Sequence, residues 1–313
     1  MKFDNRIIVV AMGVIGLYVA FLIALDVNTI SDKISNFKME FVPYIILLVT
    51  GNWYILFLRW HLLLKHSKIN VPIKENILIY ISSFAFSIIP GRVGELIKSQ
   101  LLKEKFGIPR TQTVPIVLTE QLYTVVGIVI ISMLGIWNFE VALYVMSIFG
   151  SILVFVFVLI SSKTLFDKFV SMASRRKFLS KFVEPLSESY DVIQKSTRGS
   201  IFFYASALSV FFWFIEVIVV YLVLLSFGIT YLDLFNLIPT YTTSIILGVA
   251  SFLPLGVGVV EGSLAGFFIL LGINVSMSLS LVIVIRIFTR WYTISVGFIA
   301  LKLIGGLKKN NLN

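Results

Sequence analysis

The chain is 313 residues long, 58% of them hydrophobic and only 13% charged, about half the charged share of an ordinary soluble domain. Apolar runs close to twenty residues long recur throughout, and about 20 such residues carry a helix across a hydrocarbon core of roughly 30 Å, so a soluble globular fold is excluded in favour of a single polytopic membrane domain, 1–313. The formal charge of +10 lies in short connectors between apolar runs, which points to membrane topology and away from nucleic acid, and the lack of cysteine excludes disulfides, thiolate nucleophiles and Cys-based metal sites.

In chain order, the charged start at 1–6 followed by the apolar run 7–25 has the opening of a signal peptide. That run exceeds the usual h-region of roughly 7–15 residues and no small-x-small cleavage site follows, so it is expected to be a retained first span. Further full crossings are expected at 42–58, 114–137, 141–160, 201–227 and 277–304, six in all. His61 and His66, beside Arg59, Lys65 and Lys68, are read as part of a solvated basic connector. Two apolar stretches are interrupted: 77–102 at Ile89-Pro90-Gly91-Arg92-Val93-Gly94-Glu95, and 237–272 at Leu253-Pro254-Leu255-Gly256-Val257-Gly258. Each half is too short to cross alone. The polar stretch 161–200 intersperses Leu165, Phe166, Phe169, Val170, Phe178, Leu179 and Phe182 among Lys and Arg, the pattern of an amphipathic helix pair on an anionic leaflet and a membrane-surface linker between two halves.

Basic residues set the orientation. Arg59, Lys65, Lys68 and Lys74 precede the first broken segment, and Lys98, Lys103, Lys105 and Arg110 follow its apolar part; 163–198 and the C-terminal Lys302, Lys308 and Lys309 are also basic. These flanks are expected inside, with both termini cytoplasmic in a cell-membrane protein. Connectors 228–236 and 273–276 hold no Lys or Arg and are expected outside. The two broken segments would then enter from opposite sides, as re-entrant hairpins or as pairs of tilted spans.

The broken segments also match in spacing. Pro90 is followed 17 residues on by Gly107-Ile108 and 13 later by Glu120, while Pro254 is followed 18 residues on by Gly272-Ile273 and 14 later by Arg286. Like segments of opposite orientation, each broken by Pro and Gly, point to an inverted-repeat transporter with its site where the breaks meet. Repeat one would run over about 42–137 and repeat two over about 201–304.

Charges inside the membrane complete the candidate site. Glu120, Glu216, Arg286 and Arg290 fall within spans, and Arg92, Glu95 and Glu261 beside the breaks. Each such charge costs roughly 2.5–3.5 kcal/mol near a bilayer centre, so they must face one another or a wet cavity, and one polar cluster is expected. Arginine offers a forked, permanently charged donor set for phosphate or carboxylate. The backbone breaks at Pro90, Gly91, Gly94, Pro254, Gly256 and Gly258 would place helix N-termini, with their positive dipole ends, against the same anion. For Glu216, a helix-pairing role is as fitting as a functional one.

The same residues carry a resemblance. Pro90-Gly91-Arg92-Val93-Gly94-Glu95, Gly107-Ile108, Glu120, Pro254-x-Gly256-x-Gly258-Val259-Val260-Glu261, Gly272-Ile273 and Arg286, in this order, resemble the flippase-like family named for the transmembrane region of lysylphosphatidylglycerol synthase, over nearly the whole chain. The resemblance implies movement of an amphipathic lipid, such as an aminoacylated or glycosylated phospholipid or a polyprenyl-linked carrier, between leaflets. It places the motif positions on Arg92, Glu95, Glu120, Glu261 and Arg286. Two departures stand out: Glu120-Gln121-Leu122-Tyr123-Thr124 lacks the Arg and Asp common in the family, and Leu255 replaces a glycine. The resemblance also implies that aminoacylation belongs to a following soluble domain, so a chain ending at Asn313 is expected not to be an enzyme.

The leading expectation is a lipid flippase or scramblase whose substrate-binding residues are Arg92, Glu95, Glu120, Glu261, Arg286 and Arg290. Its partners would be membrane lipids with an anionic phosphate headgroup, supplied by a separate enzyme; nucleic acid and cofactors are not expected, and self-association is left open. No G-x-x-x-x-G-K-[ST] loop is present, which argues against direct use of ATP. An ion or small-solute carrier, and a membrane-embedded enzyme using Glu95 and Glu261 as acid and base, remain as alternatives.

Overall fold

The computed structural model describes residues 37–89, 94–175 and 180–305, with backbone alone for 180–186. The described residues are helical, with no strand. The expected first span, 7–25, and the break residues Pro90, Gly91 and Arg92 lie outside them.

Five helices are long and apolar enough to cross a membrane, at the five other places where the sequence predicts a crossing. Helix α1 (Val42–His66) starts with proline in its first turn and ends with Lys65 and His66, both suited to their ends of the helix dipole. It runs eight residues past the predicted end at 58, so Arg59, His61 and His66 are helical, which corrects their reading as a loop. Helix α2 (Ile73–Ser82) tightens into a 3₁₀ turn at Ser83–Phe86 before the first break. After the break, α3 (Ile97–Phe106) ends on Gly107, whose left-handed φ of 68° lets its N–H reach the Lys103 carbonyl. Helices α4 (Arg110–Ser132) and α5 (Glu140–Ser161) follow, and α5 turns Tyr144, Ile148, Ile152 and Phe155 outward.

The predicted amphipathic pair forms as α6 (Lys163–Ser174) and α7 (Ser180–Ser196). The α6 N-cap Ser162 accepts from the Leu165 N–H. The second half then repeats the order of the first: long α8 (Ser200–Ser226), short α9 (Leu234–Ala250), a break with a 3₁₀ turn at Pro254–Gly256, short α10 (Val259–Leu270) and long α11 (Val275–Leu303), the last containing a π turn at Ile287–Trp291.

One apolar core joins the halves. α8 packs along both α1 and α4, so closely at Gly127 that a Cβ there would stand 2.6 Å from the Ser209 backbone. Such small-residue crossings allow helices to approach in lipid, where no hydrophobic drive brings them together. Contact between the halves is reciprocal: α11 lies on α2 and its 3₁₀ turn, while α4 lies on α9.

Candidate functional site

The first half buries a charge centre around Glu120. Its carboxylate receives Lys98 Nζ at 2.5 Å and the Tyr80 hydroxyl at 3.0 Å, with Arg59 Nη2 at 3.5 Å. Lys98 also reaches Glu95 at 2.8 Å and stands 4.9 and 4.8 Å from the ring centroids of Trp60 and Tyr80, a cation–π arrangement strengthened by burial. Arg59 donates further to Ser209 Oγ (2.7 Å) and Thr124 Oγ1 (2.9 Å), while its Nε finds no partner among the described residues. Glu120, Lys98 and Arg59 are almost wholly enclosed, whereas the Glu95 side chain keeps 20% of its surface open.

The second half has a counterpart. Arg286 Nε donates to Glu261 Oε1 at 2.6 Å, and its Nη2 to the Leu255 carbonyl at 2.7 Å. The other Glu261 oxygen accepts the Gly258 N–H at 2.8 Å. The tight turn ahead of α10 has left-handed φ at Phe252 (54°), Leu255 (53°), Gly256 (66°) and Gly258 (83°), a conformation strained for the two non-glycine residues. Glu216, on α8, accepts the Tyr241 hydroxyl at 2.8 Å. Arg290 lies half-buried in the π turn, near enough to Tyr241, Glu216 and Glu261 for electrostatic attraction, and its side chain forms no hydrogen bond among the described residues. π turns recur at functional sites.

Place by place, the centres correspond with their signs exchanged. Arg59 is the eighteenth residue of α1 and Glu216 the seventeenth of α8; Tyr80 and Tyr241 are each the eighth residue of α2 and α9. Lys98 follows Gly94 by four residues and Glu261 follows Gly258 by three, and each pairs with the long helix after it, at Glu120 and Arg286 respectively. Each centre is neutral by formal charge: Arg59 and Lys98 against Glu95 and Glu120, Arg286 and Arg290 against Glu216 and Glu261.

The expected single cluster is thus two centres. The expectation that α10 offers a free N-terminus to a substrate anion is corrected, because Glu261 already occupies it. Arg59 and Lys98, read from sequence as cytoplasmic flanks, are instead core cations. The signal that could have found Lys98 was its place after Gly94, matching that of Glu261 after Gly258.

Beside the first centre, a groove of about 280 Å³ opens between the halves, walled by Leu96, Leu118 and Val125 on one side and Trp213, Ile246 and Val249 on the other. Its polar spots include Gln121 and Thr124, the latter being the residue that accepts from Arg59. The groove is just below the roughly 300–1,000 Å³ of ordinary ligand pockets.

A family model described as the lysylphosphatidylglycerol synthase TM region matches residues 7–297, almost the whole chain. The chain belongs to this family. The resemblance drawn from the Pro-Gly motifs is borne out at that level. Within this lysylphosphatidylglycerol synthase TM-region family, the chain is also similar to a UPF0104 membrane protein of Methanothermobacter thermautotrophicus, 28% identical over 102 residues. That match covers 33% of this chain and only 30% of the relative, so the matched part spans less than a third of the relative's length.

Proposed function

We propose that this protein moves a phospholipid or lipid-linked headgroup between the leaflets of the cell membrane, as a flippase or scramblase and not as an enzyme. The observation that carries the reading is the groove between the halves, whose long apolar walls suit an acyl chain and whose Thr124 leads to buried Arg59. An amphipathic substrate needs both surfaces at once. Family membership adds a membrane setting and a lipid context.

In this reading the repeated order of long helix, short helix, break, short helix and long helix is an inverted repeat. The broken segments are re-entrant and face opposite leaflets, six full spans surround them, and both termini lie in the cytoplasm. Arg290 is the cation best suited to a substrate phosphate, since Arg286 is held by Glu261 and Leu255. Arg92, Glu95, Glu120 and Glu261 complete the substrate path, with the charge pairs exchanging partners as a headgroup passes.

The test is scrambling of a fluorescent phospholipid in vesicles carrying the purified chain. Leu118→Trp fills the groove from a partly exposed position and is expected to slow transfer about tenfold with native melting retained, a loss of roughly 1.4 kcal/mol in transition-state terms. Arg290→Gln should slow it similarly. Transfer at the native rate in both variants removes the groove and Arg290 as the path, and absence of transfer by the native chain removes the lipid reading in favour of the solute carrier.

A further inference from the structure

A second, larger cavity, of about 630 Å³, lies away from the groove, where the end of α1, the start of α4, the end of α7 and the start of α8 come together. Its lining includes His66, Lys68, Lys195 and Arg198 along with the amide side chains of Gln112 and Gln194, and no carboxylate. None of the three permanent cations has an ion-pair partner among the described residues.

The cavity wall is held in place by its own hydrogen bonds. His66 Nε2 meets the Lys195 carbonyl at 3.1 Å, Gln194 donates to the Ile160 carbonyl at 3.0 Å, and Arg198 donates through one Nη to the Ser161 carbonyl at 2.7 Å, leaving the rest of its guanidinium fork for a ligand. Lys68 takes a left-handed φ of 60° in the turn that closes α1, where the Ile69 N–H reaches the Leu64 carbonyl at 2.9 Å. The 27-residue α8 begins at this cavity from Gly199, with no side-chain cap on its first turn. Its free N–H groups and positive dipole end therefore add to the cations.

We propose that this cavity is a phosphate site, filled by the headgroup of an anionic phospholipid. Lys68, Lys195 and Arg198 are exposed and line one cavity without a carboxylate, so a phosphate there meets only cations and can accept from Arg198 in the bidentate manner that suits its fork. The lipid source is favoured over free phosphate because the cavity opens between the ends of membrane-crossing helices, where basic pockets meet headgroups of the anionic leaflet. The site shares no lining residue with the groove, so it can fail while the transport reading stands, and the reverse.

The experiment is native mass spectrometry of the full chain in neutral detergent, titrated with short-chain phosphatidylglycerol and, separately, with inorganic pyrophosphate. The combined variant Lys68→Gln, Lys195→Gln, Arg198→Gln is compared with a charge-matched control on exposed positions of α6 and its C-cap, Lys163→Gln, Lys168→Gln, Arg175→Gln. Saturable phosphatidylglycerol binding, weakened about tenfold or more in the first variant and within about twofold of native in the control, is the expected result. Saturable binding of pyrophosphate alone, lost in the same variant, assigns the site to a soluble anion and overturns the lipid source. Absence of saturable binding by either probe, or equal loss in the control, overturns the site. Should the combined variant melt early, the single Lys68→Gln and Arg198→Lys variants give the same reading.

Discussion

In the first half, an acid on the long helix is held by a cation on the short helix after the break; in the second half, the acid is on the short helix and the cation on the long one. The frame is the same and the signs are opposite, down to the tyrosine that each centre takes from the helix before its break. Burial demands that a charge have a partner but not that it have a given sign. What differs is redundancy. Glu120 is shared by Lys98, Tyr80 and Arg59, each of which has other contacts, whereas Glu261 joins Arg286 to the Gly258 N–H with its two oxygens.

That difference predicts unequal fragility. Glu261→Gln removes the carboxylate charge that both pairs with Arg286 and caps α10, and should lower stability by about 3–5 kcal/mol. Glu120→Gln should lose only about 1–3 kcal/mol, because Lys98 keeps Glu95 and Arg59 keeps Ser209 and Thr124. Thermal melting of the two variants in detergent gives the order, and equal losses would break the comparison. Both breaks are closed to bulk, the first more tightly: a Cβ on Gly94 would stand 1.8 Å from the Phe86 carbonyl oxygen, against 2.9 Å from the Gly248 Cα for a Cβ on Gly256. Gly94→Ala should therefore lose about 1–3 kcal/mol in the same measurement.

Exchanging signs sharpens the comparison further. The double variant Glu261→Arg, Arg286→Glu should be more stable than the sum of its two single changes by about 0.5–3 kcal/mol in a double-mutant cycle, while failing to restore the Gly258 cap. The smallest effect is expected at Phe252, which is 75% exposed and left-handed. Phe252→Gly should gain about 0.5 kcal/mol, the relief of left-handed strain set against glycine's entropy, and a fall in melting temperature would deny that the turn is strained.

Much of this frame was legible in the sequence. Apolar length predicted the five described spans, and the Pro-Gly interruptions marked both breaks, because the chemistry that ends a helix is local. The amphipathic pair at α6 and α7 was equally readable from its mixture of Phe and Lys. The charge centres were legible only in part. Counting basic residues near span ends treats Arg59 and Lys98 as cytoplasmic markers, yet α1 continues past Arg59 and α3 turns Lys98 inward onto Glu120, outcomes fixed by packing between helices far apart in sequence. Glu261 presented the converse problem: its place beside a break suggested a substrate contact, and only the fold shows it closing the end of its own helix.

The reciprocal contact between the halves has a consequence for the chain as a folding unit. The broken segment of each half is roofed by the long closing helix of the other, at α11 over α2 and at α4 over α9. The two halves are thus interlocked pieces and not beads on a string: neither owns a finished interior, and α6 and α7 lie in the chain between two parts that each hold the other's missing wall.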